Sequence, residues 1–432
     1  MRVAHIITRL IIGGAQENTI LNCEDLIQDY GDEVLLLFGP TQGPEGSLVN
    51  RVRGDYLPVA ASTEREVEGI RSCDSRTRQL WGTDEPSDAL RPEVRPLGIP
   101  GGVPHKIIPA MQRAIHPMQD YRAYRQIGRA LRDFKPDVVH THSAKAGVLG
   151  RYAARKLGVP AIVHTIHGAP FGPWQGYAGR QLYRFFEKRA AGKCDAFISV
   201  ADAMTDIMVQ GHVAPPEKFT TIYSGMETEP FLRSASFRNE YRQRFGFLNK
   251  HIVIGKFARL FYLKGHEYVI EAAKQIVKRE RNVRFLFVGD GLLTQTHAKA
   301  IADAGLSSYF VFTGLIPPEV IPAVFSSVDI IVHTSLREGL ARVIPQAFLA
   351  GKPVVSYDVD GAREVVLDGE TGFLLPPKDI DGLAERLIRL ARDPALRRRF
   401  GEEGRRRFAA QFDHHYMTKR IREVYERLLN RH

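Results

Sequence analysis

Residues 329–362 read "DIIVHTSLREGLARVIPQAFLAGKPVVSYDVDGA". Two short apolar runs, "DIIVHTS" and "PVVSYD", flank a longer segment with a helical pattern. Runs this brief and this continuously apolar read as strands covered on both faces, which is how a parallel sheet between helices is written. Glu338 stands beside Gly339 at the entrance to the middle segment, where a carboxylate suggests a ligand. If the helix ran on from there, Gln346 would lie a little over two ideal turns deeper and return to the same face.

The same alternation runs through the rest of the chain. "VAHII", "EVLLLF", "DVVHTH", "AIVHTIH" and "DAFISV" are strand-like in the first half, and "IVIGKFA", "RFLFVGD" and "YFVFTG" precede the quoted unit in the second. Strand signals separated by helical ones imply α/β architecture with doubly wound parallel sheets. Two such sets imply two Rossmann-like domains. The break falls near residues 223–246, "YSGMETEPFLRSASFRNEYRQRFG". The expected domains are 1–228 and 229–412, with 413–432 as a closing helix. Residues 55–105 are polar, rich in Pro and Gly, and interrupt the alternation, so they read as an insertion.

The chain has 432 residues, of which 44% are hydrophobic and 25% charged, with a formal net charge of +11. That length supports two sizeable cores, and the basic balance favours anionic partners. The 3 cysteines, Cys23, Cys73 and Cys194, are too few and too scattered for a disulfide framework or a metal knuckle. A reducing cytoplasm is expected. No apolar run reaches the roughly 18 residues of a membrane span. "MRVAHIITRLIIGGAQ" resembles a leader only superficially, because Arg9 interrupts it and no small-residue cleavage site follows.

Ligands of doubly wound sheets bind beyond the carboxyl ends of the strands, and that rule selects the residues to watch. Gly13 and Gly14 lie in a strand–helix turn where backbone amides could approach a phosphate, although a Gly-Gly turn is equally ordinary turn chemistry. Arg259 and Lys264, in "GKFARLFYLKGHE", are two cations in one loop before a helix and suit a diphosphate. His140, His142, His164 and His167 cluster at strand ends without a nearby carboxylate or cysteine, so packing and hydrogen bonding are expected of most, and His167 is expected to face the crevice. Asp358 and Asp360 could hold a metal, but Asp360 reads better as the cap of the following helix. No metal site is expected. Arg122, Arg125, Arg129, Arg132 and Lys135 form a basic helical stripe that is either a solvated face or a surface for anionic lipid.

These residues resemble the retaining glycosyltransferases of family 4, which have the GT-B fold: two Rossmann-like domains facing across a cleft. The resemblance rests on "SLREGLARVIPQAFLAGKPVVSYDVDGAREVVLDGETGFLLPPKD", with support from "GGAQ", "HTHSAKAGVLGRYAARKLGVP", "HTIHG", "YSGMETEPF", "KFARLFYLKG" and "VGDG". It covers nearly the whole chain outside 55–105. It implies an acceptor-side first domain, a donor-binding second domain, and a closing helix that crosses back to the first. It places Gly13 and Gly14 near the donor phosphates, His167 near the transferred sugar, and Arg259 and Lys264 on the diphosphate. Glu338, the first acidic residue of the family's Glu-x7-Glu motif, falls beside the donor sugar, followed by the backbone of Gly339, Leu340, Ala341, Arg342 and Val343. Leu315 falls on the base side. Gln346 replaces the motif's second glutamate, which usually grips the ribose, and the insertion is a second departure.

The implied reaction moves a sugar from a nucleotide-diphosphate sugar to a glycan or lipid-linked acceptor, with no cofactor and no metal, in cell-surface polysaccharide or glycolipid synthesis. A cytoplasmic enzyme touching the inner face of the membrane is expected. A sugar-nucleotide epimerase of the same fold and a catalytically silent nucleotide-binding subunit are the alternatives. Nucleic acid is not an expected partner, since stacking motifs and a recognition-helix pattern are missing.

Overall fold

The computed structural model describes residues 1–41, 46–54, 99–172 and 175–431. They form two compact units, one from the described residues of 1–54, 99–226 and 411–431, the other from 227–410.

The first unit is built on a parallel sheet of 7 strands in the order β3-β2-β1-β4-β5-β6-β7. Its strands are β1 (Arg2–Ile7), β2 (Glu33–Phe38), β3 (His105–Ile107), β4 (Val138–His142), β5 (Ala161–Ile166), β6 (Ala196–Ser199) and β7 (Phe219–Thr221). β4 and β5 are buried at every residue, because helices cover both faces. One side packs Ile20, Cys23 and Leu26 with Ile421, Val424 and Tyr425 of the last helix. The other packs Ile127 and Leu131 with Ala146 and Ala153.

The closing helix His414–Leu429 belongs to this unit. It starts at Asp413, whose side chain accepts from the amides of His415 and Tyr416. A polar seam then ties it to the helix Gly14–Gln28: Thr418 Oγ1 donates to Asp25 at 2.6 Å, and His414 Nδ1 lies 2.8 Å from the same carboxylate.

Residues 99–105 correct the reading of 55–105 as one insertion. Ile99 and Val103 are core residues, the Val103 amide donates to the Val52 carbonyl at 2.8 Å, and β3 begins at His105. Its short edge strand lacks the apolar run that marks a central strand. The rest of the proposed insertion, 55–98, lies outside the described residues.

The second unit carries a parallel sheet of 6 strands in the order β10-β9-β8-β11-β12-β13. These are β8 (Ile252–Phe257), β9 (Val283–Val288), β10 (Phe310–Phe312), β11 (Ile330–His333), β12 (Val354–Tyr357) and β13 (Gly372–Leu375). β11 and β12 are the two runs of the quoted stretch, paired in parallel with Ile331 opposite Val354. The helix Val343–Leu349 connects them. Ile276, Phe285, Phe287, Leu387 and Phe400 are among its core.

One buried charge links three elements of this unit. Lys256, on β8, is 1% exposed. Its Nζ donates to Thr334 Oγ1 at 2.9 Å, and that hydroxyl donates to the Gly265 carbonyl at 2.6 Å. Gly265 sits at φ +70, and a Cβ there would lie 2.0 Å from the Thr334 carbonyl oxygen, so only glycine fits this approach. Burial pushes the Lys256 ammonium from 10.5 down to about 7, with Lys264 adding repulsion while Glu267 and Glu338 oppose it. The folded state therefore holds this proton less tightly than the unfolded chain does. The cost of the buried charge is full below about pH 7 and fades as pH rises toward 10.5. Lys256→Met should accordingly stabilise the fold most at about pH 6, on the order of a few kcal/mol, and progressively less toward about pH 10. Denaturant midpoints of both proteins across that range measure the trend, and a gain independent of pH would contradict it.

Candidate functional site

The carboxyl ends of β8 and β11 bring two loops together in the second unit. The loop after β8 carries Arg259 and Lys264 and ends at Gly265, the N-cap of the helix His266–Arg279. The loop after β11 carries Glu338 and runs into the helix Val343–Leu349. They are stitched by the Leu336 amide, which donates to the Leu263 carbonyl at 2.8 Å, and by an ion pair of 2.5 Å between Lys264 Nζ and Glu338 Oε1.

Burial alone would raise the Glu338 carboxyl. Lys264, and then His333, outweigh it and hold Glu338 below the ordinary carboxylate range. His333 Nε2 lies 3.9 Å from Glu338 Oε1, too far for a hydrogen bond. Burial in turn lowers the His333 imidazole, although Glu338 opposes this. His333 Nε2 and Ser335 Oγ are both buried without a hydrogen-bond partner among the described residues. Such groups are costly and mark a place where a ligand or water can be accepted. The Arg259 guanidinium lies 5.0 Å from the centre of the Phe261 ring.

The backbone after Glu338 is also held. Gly361 donates to the Gly339 carbonyl at 3.1 Å. The Glu338 amide donates to Asp360 Oδ2 at 2.7 Å. This corrects the reading of Asp360 as a helix cap. The helix Ala362–Val365 has Gly361 as its N-cap, without a side-chain hydrogen bond. Asp358 is engaged elsewhere, gripping Arg363 through both oxygens at 2.8 and 2.6 Å.

Helical arithmetic between Glu338 and Gln346 fails as well. The connecting helix begins only at Val343, so Glu338, Gly339, Leu340, Ala341 and Arg342 are loop, and Gln346 is a part-exposed residue of that helix. Pro345 and the two glycines nearby disguise the boundary in the sequence. Leu315 is exposed in the loop after β10. The neighbouring Gly314 carbonyl accepts from the Gly289 amide at 3.1 Å, joining that loop to "VGDG".

In the first unit, Gly13 is the N-cap and Gly14 the first residue of the helix Gly14–Gln28. His167 follows β5 directly and is partly buried. The other strand-end histidines are buried and hydrogen-bonded. His140 reaches Tyr425 Oη at 2.5 Å and Thr165 Oγ1 at 2.6 Å, and His164 reaches Thr141 Oγ1 at 2.9 Å. His142 Nδ1 lies 3.1 Å from His167 Nε2, and His142 Nε2 lies 3.0 Å from His5 Nδ1. His5 escaped the sequence reading because one histidine in an apolar strand carries no pattern. Its link to the cluster comes from pairing of β1 with β4, where it stands opposite His140. Lys256 and Thr334 escaped for the same reason.

Residues 237–407 match the model of the glycosyl transferases group 1, and residues 81–230 match that of Glycosyltransferase Family 4. An alpha-D-kanosaminyltransferase of Streptomyces kanamyceticus is 30% identical over 273 residues, covering 61% of this chain and 70% of the relative. The Escherichia coli UDP-Gal:alpha-D-GlcNAc-diphosphoundecaprenol alpha-1,3-galactosyltransferase is 29% identical over 292 residues, covering 67% of this chain and 75% of the relative. Among solved structures, Anabaena HepE in complex with UDP superposes with a TM-score of 0.74 at 20% identity, over 99% of this chain and 100% of that one. With two Rossmann-like parallel-sheet units and these relatives, the chain belongs to the group 1, family 4 glycosyltransferases of the GT-B fold.

Proposed function

We propose that this glycosyltransferase moves a sugar from a UDP-sugar to a glycan or lipid-linked acceptor, with retention of anomeric configuration and without a metal. The observation that carries the reading is the Lys264–Glu338 ion pair at the mouth of two strand-end loops. A nucleoside diphosphate leaving the anomeric carbon needs its charge stabilised. Arg259, Lys264 and the amides at the start of the helix His266–Arg279 supply positive charge there. When the diphosphate takes Lys264, the Glu338 carboxylate is released to accept hydrogen bonds from sugar hydroxyls. Leu315 serves the base side, Gly339 to Val343 the sugar and phosphates, and Gly13 and Gly14 the phosphates from the first unit. His167 acts on the transferred sugar. HepE is described in complex with UDP-glucose, and the E. coli relative is named for UDP-Gal, which favours uridine among the nucleotides.

A panel of nucleotide sugars tests the reading. A UDP-sugar should raise the melting temperature, since a ligand of the folded state stabilises by mass action. Lys264→Ala and Arg259→Ala should each slow transfer by about two orders of magnitude or more, and a chelator should leave the rate unchanged. Strict dependence on a divalent ion would overturn the metal-free mechanism. Release of free sugar and UDP without an acceptor would favour an epimerase, and no response to any nucleotide sugar a silent subunit.

Gln346 takes the place where a glutamate would accept from both ribose hydroxyls. Its amide has one acceptor and one donor group, so an altered grip rather than a dead enzyme is expected. Gln346→Ala should weaken donor binding by roughly 1–3 kcal/mol, whereas Gln346→Glu should match or exceed the native affinity. Glu338→Ala should lower kcat more than nucleotide affinity. Isothermal titration with UDP beside steady-state kinetics separates these effects.

No helix among the described residues is long and apolar enough to cross a membrane. Peripheral contact with the inner face of the membrane is the proposed location. The helix Pro117–Phe134 buries Ala123, Ile127 and Leu131 and turns Arg122, Arg125, Arg129 and Arg132 to solvent, beside exposed Met118 and Tyr121. Two helices on, Tyr177–Ala191 exposes Leu182, Phe185 and Phe186 among further basic residues. Basic and apolar groups together suit anionic headgroups. Sedimentation with phosphatidylglycerol vesicles should show binding that falls with salt and weakens when Arg122, Arg125 and Arg129 are changed to Glu. Indifference to such vesicles at low salt would point to a soluble acceptor.

A further inference from the structure

Glu338 has a second neighbour besides Lys264. His333 is the last residue of β11, and its Nε2 lies 3.9 Å from Glu338 Oε1, the same oxygen that Lys264 holds at 2.5 Å. The ring is 3% exposed, and Nε2 has no hydrogen-bond partner among the described residues. The opposite nitrogen is taken. His333 Nδ1 lies 3.0 Å from Ser356 Oγ on β12, and that hydroxyl gives its one proton to the Tyr357 carbonyl at 2.8 Å. Ser356 therefore accepts from His333, which keeps a proton on Nδ1 whether neutral or charged. Nε2 is the atom that gains or loses a proton. Unprotonated, it offers Glu338 nothing; protonated, it would be the donor of a charge-assisted pair.

We propose that His333 is a positioning residue for Glu338: when a diphosphate draws Lys264 away, His333 takes a proton on Nε2 and holds Glu338 Oε1 in its place, leaving the other carboxylate oxygen to the sugar. The proton comes from solvent and returns to it when the diphosphate leaves. Two cations oppose a charge on this ring, Lys256 from β8 and Lys264 from the loop after β8. Glu338 favours the charge, and Ser356 on β12 is neutral. Burial adds to the opposition and, with both lysines, holds the imidazole below its ordinary range. A diphosphate at Lys264 would cancel one opposing cation and deprive Glu338 of its ion pair. Both changes favour an imidazolium, because the alternative is a part-buried carboxylate without a counter-charge. Reaching a charge-assisted distance of about 2.8 Å asks for a shift of about 1 Å in the loop that carries Glu338.

Lys256 is the rival seat for such a proton, since its ammonium is pulled down to about 7 and Lys264 repels it as well. Its Nζ, however, donates to Thr334 Oγ1. A charge there fills no place at Glu338 Oε1.

The trigger in this inference rests on the function proposed above, so one of its two tests uses no ligand. In Lys264→Met the competing cation is gone. The titration midpoint of His333, followed through the ring resonances of histidine-labelled protein and assigned with His333→Gln, should rise above the native one. It should fall back in Lys264→Met/Glu338→Gln. A midpoint unmoved by Lys264→Met would overturn the proposal whatever the substrate proves to be. The second test uses UDP-glucose, whose diphosphate does not itself titrate near neutral pH. Calorimetry in buffers of different ionisation heat should show uptake of up to about one proton per molecule bound, and affinity should fall as pH rises. Uptake should persist in Lys256→Met and vanish in His333→Phe and His333→Gln. Uptake lost with Lys256 and kept without His333 would also overturn the proposal. In turnover, His333→Phe should lower kcat on the order of tenfold. His333→Gln, whose amide can donate to Glu338 without a change of charge, should retain more of kcat; equal losses in the two variants would reduce His333 to packing. A raised midpoint in Lys264→Met with no binding of any UDP-sugar would support the pairing of His333 with Glu338 and count only against the proposed function.

Discussion

An ammonium and a carboxylate 2.5 Å apart, Lys264 and Glu338, join the loops that follow β8 and β11 in the second unit. The pair is partly exposed, with side chains 24% and 23% accessible, so as an isolated surface ion pair it would contribute little to stability. Its importance is positional. It keeps a cation and an anion in register at the ends of β8 and β11. The neighbouring network reinforces that register from below, through Lys256, Thr334 and the Gly265 carbonyl. A buried lysine is a poor stabiliser, because desolvation opposes its charge. Its presence under a strand-end loop is easier to understand as a means of holding that loop than as a source of folding energy.

The two units solve the same problem with different groups. Parallel strands covered on both faces have no exposed surface for chemistry, so functional side chains collect where strands end. In the second unit these are charged, and the helix N-terminus at Gly265 adds its amides. In the first they are imidazoles, of which buried His140 meets Tyr425 of the closing helix. Removing that helix would take away the Tyr425 contact of His140 and the apolar packing of Ile421, Val424 and Leu428.

What could be read along the chain was what depends on neighbours along the chain. "DIIVHTS" and "PVVSYD" announce buried strands because every one of their core residues must be apolar wherever the partner strands lie. Glu338 beside Gly339, and Arg259 near Lys264, stood out because residue type and spacing alone make them candidates for sugar and diphosphate. Local spacing also misled. Counting helical turns from Glu338 to Gln346 assumed a helix where the chain is a loop until Val343. Asp360 looked like a cap because it precedes a helix, yet its carboxylate reaches back 22 positions to the Glu338 amide. Residues 99–105 looked like part of an insertion because an edge strand buries too little to show an apolar run.

By itself the sequence determined the α/β class, the two Rossmann-like sheets and the family to which the chain belongs, since periodic burial and a few short motifs are properties of contiguous residues. Only the tertiary structure decided which groups act together. His5 and His142 are 137 positions apart, Lys256 and Thr334 are 78 apart, and Lys264 and Glu338 are 74 apart. Contacts at such separations are created by the order in which strands pair. No local rule of hydrophobicity or spacing encodes which strand will become the neighbour, so those partnerships exist only in the folded chain.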